Sequence, residues 1–174
     1  MRYYYYWIAL FVFVVDFITK KIIATKLNLG DLISVIGNFF YITSHRNRGA
    51  AFGILQEQRL FFIIITIVIL AAIIWYIQTT RKLGKVWLLT GLGLVLGGAF
   101  GNFLDRAMYG EVVDFLLFNF GSYSFPIFNV ADSAICIGVV LILIDALLTS
   151  KQEKQDQMRS EKDKESNPNE QQTV

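Results

Sequence analysis

The sequence predicts an all-α integral membrane protein of four transmembrane helices, with a small extracytoplasmic β-sheet between the first and second spans. Three observations lead there. The 174 residues are 55% hydrophobic with a mean hydropathy of +0.49, too apolar for an ordinary soluble domain of that length. Long uncharged apolar runs recur along the chain, and the segment between the first two combines β-prone residues with turn formers.

Leu60 to Ile77 is one such run, Val86 to Leu104 a second, and Ile127 to Ile144 a third that is interrupted only by Asn129 and Asp132. Each is long enough for roughly 30 Å of hydrocarbon at about 1.5 Å per residue. The N-terminal run from Tyr3 to Val15 continues through Asp16, Lys20 and Lys21 to Ala24. A cleavable signal peptide has a basic start and a small-residue cleavage site, and neither is evident, so this run is expected to be the first span. An even number of spans puts both termini on one side. Arg81, Lys82 and Lys85, with Lys151, Lys154, Arg159 and Lys162, outweigh Lys26, Arg46, Arg48, Arg59 and Arg106 only slightly, and that bias points to cytoplasmic termini.

In the loop from Leu27 to Arg59, Phe39-Phe40-Tyr41-Ile42-Thr43 is β-prone and is bounded by Gly37-Asn38 and Asn47-Arg48-Gly49. It should form a small sheet lying on the membrane, with turns at Asn47, Gly49 and Gly53 around Ala50-Ala51-Phe52. After Leu148 the composition turns to Lys, Glu, Asp, Gln and Ser. Residues 150–174 are therefore expected to be a disordered polar cytoplasmic tail outside a 1–149 membrane domain.

Composition also excludes some functions. A net charge of +2 without a basic block outside the tail argues against a nucleic-acid partner. One histidine and one cysteine offer few zinc ligands, so neither a metal nor a cofactor is expected. His45 reads as a polar loop residue, and Cys136 cannot form an intramolecular disulfide. No internal repeat is apparent, which weakens a transporter built from inverted halves. Gly93, Gly97 and Gly101, spaced by four with Gly98 beside them, are accounted for by close helix packing alone.

Packing does not account for the polar side chains in or near lipid, where an ionisable group costs at least a few kcal/mol. Asp16 and Lys20 stand four apart on one helical face, as an ion pair or as support for a site. Asn102 and Arg106 are also four apart, with Asp105 beside them. Arg106 is suited either to hold a carboxylate or carbonyl or to anchor at the headgroups. Asp114 lies in Val112-Val113-Asp114-Phe115, just outside the third span. Asp132 lies six residues past Pro126, and a helix starting there would put it about 9 Å down the fourth span. Residues 119–124 are turn-like and return the chain, so both carboxylates fall near one membrane face. Asn129 is one turn before Asp132, placed to orient it. Two carboxylates in a low-dielectric pocket share a proton, and such a pair can activate water for hydrolysis. The residues alone leave an ion or proton pathway and a structural role open.

Five motifs then coincide. Asp16-Phe17-Ile18-Thr19-Lys20, Asn47-Arg48-Gly49-Ala50-Ala51-Phe52-Gly53, Gly101-Asn102-Phe103-Leu104-Asp105-Arg106, Val112-Val113-Asp114-Phe115 and Phe128-Asn129-Val130-Ala131-Asp132-Ser133 together resemble lipoprotein signal peptidase, or bacterial signal peptidase II. The match runs in order from about Trp7 to Leu148. It implies a membrane-embedded aspartic endopeptidase of the bacterial cell membrane that removes signal peptides from prolipoproteins, cutting before a diacylglyceryl-modified cysteine. It further implies that Asp114 and Asp132 are the catalytic pair. Asp16, Lys20, Asn47, Gly49, Asn102, Asp105, Arg106 and Asn129 would bind substrate or support the site near the extracytoplasmic face. Diacylglyceryl prolipoproteins and membrane lipids are the expected partners of a monomeric chain, and the Asn47 loop is expected to clamp the peptide over the site.

Overall fold

In the computed structural model, which describes residues 3–49 and 55–166, the four apolar runs form helices α1 (Tyr4–Lys26), α2 (Arg59–Thr80), α3 (Val86–Tyr109) and α4 (Val130–Ser166). Among the described residues, three stretches are long and apolar enough to cross a membrane: Arg59–Thr80, Val86–Tyr109 and Val130–Ser160. α1 has the length, at 23 residues, but carries Asp16, Lys20, Lys21 and Lys26 and is not among them. The turn expected around Ala50, Ala51, Phe52 and Gly53, and with it the clamp, lies outside the described residues.

α3 packs against all three other helices, and its glycines permit this. A Cβ on Gly93 would lie 2.6 Å from the Tyr5 carbonyl oxygen, and one on Gly97 would meet the carbonyl of Ala9, so this stripe receives α1. Gly91 and Gly98 face α4 in the same way, through the backbones of Gly138 and Ala131. Backbones this close gain dispersion contacts that any side chain would forbid. At the opposite end of the bundle from the acidic cluster, Tyr5, Ile73, Ile77, Leu88, Leu89 and Leu92 form the apolar core that ties α2 to α1 and α3.

The sheet is larger than expected. Strands β1 (Leu32–Ile36), β2 (Phe40–Asn47), β3 (Val112–Phe120) and β4 (Tyr123–Ser124) pair antiparallel in that order. Half of it therefore comes from the α3–α4 connection rather than from between the first two helices. The Val112–Phe120 run is rich in branched and aromatic residues that suit a pleated surface. Gly110, at φ 77°, ends α3, and Gly121, at φ 68°, turns β3 into β4, so residues 119–124 are a hairpin tip. A register shift between Ile42 and His45 sets His45 opposite Asp114 and Asn47 opposite Val112. His45 is thus a strand residue and not a loop residue.

Two boundaries differ from the sequence expectation. α4 begins at Val130 and not at Pro126, because Phe128 exchanges backbone hydrogen bonds with Leu116 of β3, at 3.1 and 2.8 Å, and is held extended. Asp132 consequently stands in the first turn of α4 instead of about 9 Å along it. At the other end, α4 continues as helix through 150–166, where the sequence suggests a disordered tail. Lys, Glu, Gln and Arg are good helix formers, and extending an existing helix avoids the cost of nucleation.

The glycine stripe can be tested directly. Gly97→Val places a branched side chain where even a Cβ would come within 2.9 Å of Ala9 Cα and Val12 Cβ. Its expected cost is about 1–3 kcal/mol, read as a lower Tm in detergent. An unchanged Tm would mean that α1 and α3 can separate freely.

Candidate active site

The site grows from one buried cation. Lys20 is four residues beyond Asp16 on α1, which puts both on one face, and that face meets the C-terminal half of α3. An ammonium has three donors, and Lys20 Nζ has three partners: Asp16 Oδ2 at 2.7 Å, Asp105 Oδ2 at 2.9 Å and Asn102 Oδ1 at 2.8 Å. The lysine is 3% exposed and Asp16 1%, so no solvent competes for these contacts. The choice between ion pair and site support dissolves, since the second oxygen of Asp16 accepts the backbone N–H of Ala131 at 2.9 Å, at the start of α4. Gly101 makes room for this. A Cβ there would stand 2.5 Å from Asp16 Oδ2, so this glycine serves the polar cluster as well as packing.

The first turn of α4 carries the next layer. Asn129 precedes the helix and its Oδ1 accepts the Asp132 N–H at 3.0 Å, while Asp132 Oδ2 accepts the Asn129 N–H at 3.2 Å. This reciprocal pair is an N-x-x-D form of the capping box. With Asn129 Oδ1 engaged, its amide nitrogen faces the other way and donates to Asp114 Oδ1 at 2.7 Å and to Asn102 Oδ1 at 3.3 Å. The same logic orients two more amides. Lys20 fixes Asn102 Oδ1, so Asn102 Nδ2 donates to Asp132 Oδ1 at 2.7 Å. The Gly49 N–H fixes Asn47 Oδ1 at 2.9 Å, so Asn47 Nδ2 donates to Asp114 Oδ2 at 2.9 Å.

Asp114 and Asp132 therefore accept hydrogen bonds from neutral donors, and Asn129 touches both. Arg106 does not hold either carboxylate. Its Nη2 donates to the Gly49 carbonyl at 2.9 Å, and its guanidinium lies 4.8 Å from the Phe62 ring centroid. Asp16, Lys20, Asn47, Gly49, Asn102, Asp105, Arg106, Asp114, Asn129 and Asp132 all join this one network. Arg59 was missed as a contributor: its Nε and Nη2 donate to the carbonyls of Arg106 and Ala107 at 2.9 and 2.7 Å, capping the end of α3. No sequence spacing signals a contact made across 47 residues.

A cavity of about 500 Å³ opens over the two aspartates. Asn47, Asn102 and Arg106 share its polar end with them, and Val112, residues 125–128, Ile135 and Cys136 form an apolar wall. Burial pushes the Asp114 carboxyl up to about 6, and the neighbouring Asp132 carboxylate adds to the rise, while the amides of Asn47 and Asn129 oppose it. A pair so placed is suited to share a proton, with one member as acceptor and the other as donor.

Comparison with known proteins gives a consistent picture. Residues 8–148 match the family model described as "Signal peptidase (SPase) II". A protein named "Lipoprotein signal peptidase", from Bacillus pumilus (strain SAFR-032), is 51% identical over 152 residues, which cover 87% of this chain and 97% of that protein. Two solved structures are similar. One, described as "Bacterial membrane enzyme structure by the in meso method at 2.3 A resolution", has a TM-score of 0.76 and 48% identity over 84% of this chain and 88% of its own. The other, carrying the same description at 1.9 Å, has a TM-score of 0.71 and 49% identity over 80% and 90%.

Two measurements probe the network. Lys20→Met strands Asp16 and Asp105 in the interior and is expected to cost about 3–5 kcal/mol in detergent unfolding; a cost below about 1 kcal/mol would show water reaching the pair. Asn47→Ala removes a donor that favours ionised Asp114, so the carboxyl titration followed by infrared spectroscopy should move above about 6. A shift downwards would contradict the hydrogen bond.

Proposed function

Because the chain belongs to the signal peptidase II family, we propose that it is a four-span aspartic endopeptidase of the bacterial cell membrane, cleaving prolipoproteins before the diacylglyceryl-modified cysteine. Membership supports a protease acting on lipoprotein signal peptides. The aspartate dyad, the cleavage position, the monomeric state and the topology are our reading. The observation that carries it is that Asp114 and Asp132 line one cavity, are joined through Asn129, and among the described residues accept only neutral donors.

In this mechanism one aspartate is ionised and the other protonated. The carboxylate takes a proton from water as its oxygen attacks the scissile carbonyl carbon, and the carboxylic acid gives its proton to the carbonyl oxygen. Collapse of the tetrahedral diol breaks the C–N bond: the aspartate protonated by water gives its proton to the departing amine, and the other, now a carboxylate, takes a diol O–H proton, which leaves one ionised and one protonated aspartate again. The amides of Asn47, Asn102 and Asn129 keep both carboxylates in place through these changes of charge. Arg106, held by the Gly49 carbonyl, borders the cavity that takes the peptide, and the wall formed by residues 125–128, Ile135 and Cys136 suits the acyl chains of the lipidated cysteine.

α1 is the first of the four spans, since its Asp16 and Lys20 face α3 and pair with each other. The termini are cytoplasmic, and the sheet and cavity lie at the extracytoplasmic face. A proton pathway would need carboxylates spread through the depth of the bundle. Here Asp16, Asp105, Asp114 and Asp132 gather around the start of α4, the other buried carboxylate among the described residues, Asp145, is paired with Lys85 at 3.7 Å, and α2 has no charged residue between Leu60 and Thr80.

Asp114→Asn and Asp132→Asn should each reduce cleavage of a diacylglyceryl prolipoprotein by at least about a hundredfold, measured with the purified chain in nanodiscs and with helical content unchanged. Substantial turnover by a folded Asp132→Asn protein would sink the dyad.

A further inference from the structure

A second cavity, of about 300 Å³, shares no lining residue with the first. It lies between the C-terminal halves of α1 and α3, against the paired strand residues Arg46 and Val113. Its walls are of two kinds: Phe17 and Ala24 are apolar, while Lys21, Arg46 and Glu111 are charged, with Tyr109 at the end of α3.

Asp105 lines the cavity as well, so cations and carboxylates share its wall, but both carboxylates are already engaged. Lys20 also borders the cavity but is committed to Asp16, Asp105 and Asn102. Glu111 accepts from Arg48 Nε at 3.1 Å and has only a longer 3.5 Å approach from Arg46. Lys21 has no carboxylate partner among the described residues, and Arg46 Nη1 is buried without an acceptor there. A buried guanidinium N–H left unsatisfied is costly, so the site is short of acceptor oxygens. A phosphate supplies several, matches the guanidinium fork, and tolerates an ammonium as a point charge.

Position selects the source of that phosphate. The cavity is at the same end of the helices as the sheet, and its charged rim adjoins an apolar strip. A membrane presents this combination where headgroups meet hydrocarbon, and basic pockets between helices take anionic headgroups there. We propose that this cavity binds an anionic phospholipid, with Lys21 and Arg46 on the phosphate and an acyl chain along Phe17 and Ala24. The inference needs the membrane placement of this end of the bundle but not the cleavage chemistry.

The test is lipid retention by the full chain in detergent, followed by native mass spectrometry with phosphatidylglycerol, with diacylglycerol of the same acyl chains, and with inorganic phosphate. Phosphatidylglycerol should be retained, diacylglycerol should not, and millimolar phosphate should fail to displace the lipid. Lys21→Gln and Arg46→Gln should each weaken retention by about fivefold, the equivalent of one cation at a membrane surface. Lys21→Arg keeps the charge and should keep the lipid, while Arg46→Lys keeps the charge without the fork and should retain more lipid than Arg46→Gln, which separates loss of binding from loss of fold. Equal retention of diacylglycerol, unaltered retention by the Lys21→Gln/Arg46→Gln double variant, or displacement by free phosphate would each overturn the proposal. Prolipoprotein cleavage is assayed separately, so failure here leaves the dyad untouched.

Discussion

The Lys20 ammonium is the contact on which the rest of the site depends. Burying a lone cation is prohibitively costly, and it is stable here only because three acceptors from two helices converge on it. Those acceptors are also the parts that set the next shell. Asp16 reaches on to the first turn of α4, and Asn102 is turned so that its amide nitrogen faces Asp132. One charge at the α1–α3 seam thereby fixes both the start of α4 and the orientation of the Asp132 carboxylate.

Orientation passes through amides rather than through further charges. Asn47, Asn102 and Asn129 each have the oxygen occupied by a donor, which leaves the nitrogen pointing at an aspartate. A cation in contact with Asp114 or Asp132 would favour full ionisation and remove the proton a dyad needs. Neutral donors position the pair with far less bias. Arg106 conforms to this pattern, since its fork is directed to the Gly49 carbonyl and its face to Phe62.

The helices were legible because lipid imposes long apolar runs, and the polar residues stood out because they violate that rule. Spacing alone placed Asn129 beside Asp132, whereas Asn47 and Gly49 stood out only through the ordered motifs, because no local spacing supplies their contacts. What escaped was set by pairing at a distance. β3 was read only as an apolar stretch because its partner β2 lies some 70 residues earlier, and α4 starts late because Phe128 is claimed by Leu116. Gly101 looked like packing because nothing in its own neighbourhood reveals that Asp16 fills the vacant space. Arg59, similarly, was one basic residue among several until its carbonyl partners were known.

The capping of α4 has a consequence for how the site loosens. The N–H groups of Ala131 and Asp132 are satisfied by Asp16 and Asn129, members of the same network that holds the carboxylates. Fraying of that turn and disassembly of the site are consequently one local opening event. Slow hydrogen–deuterium exchange at these two amides reports an intact site, in a protein with no ligand bound and no reaction under way.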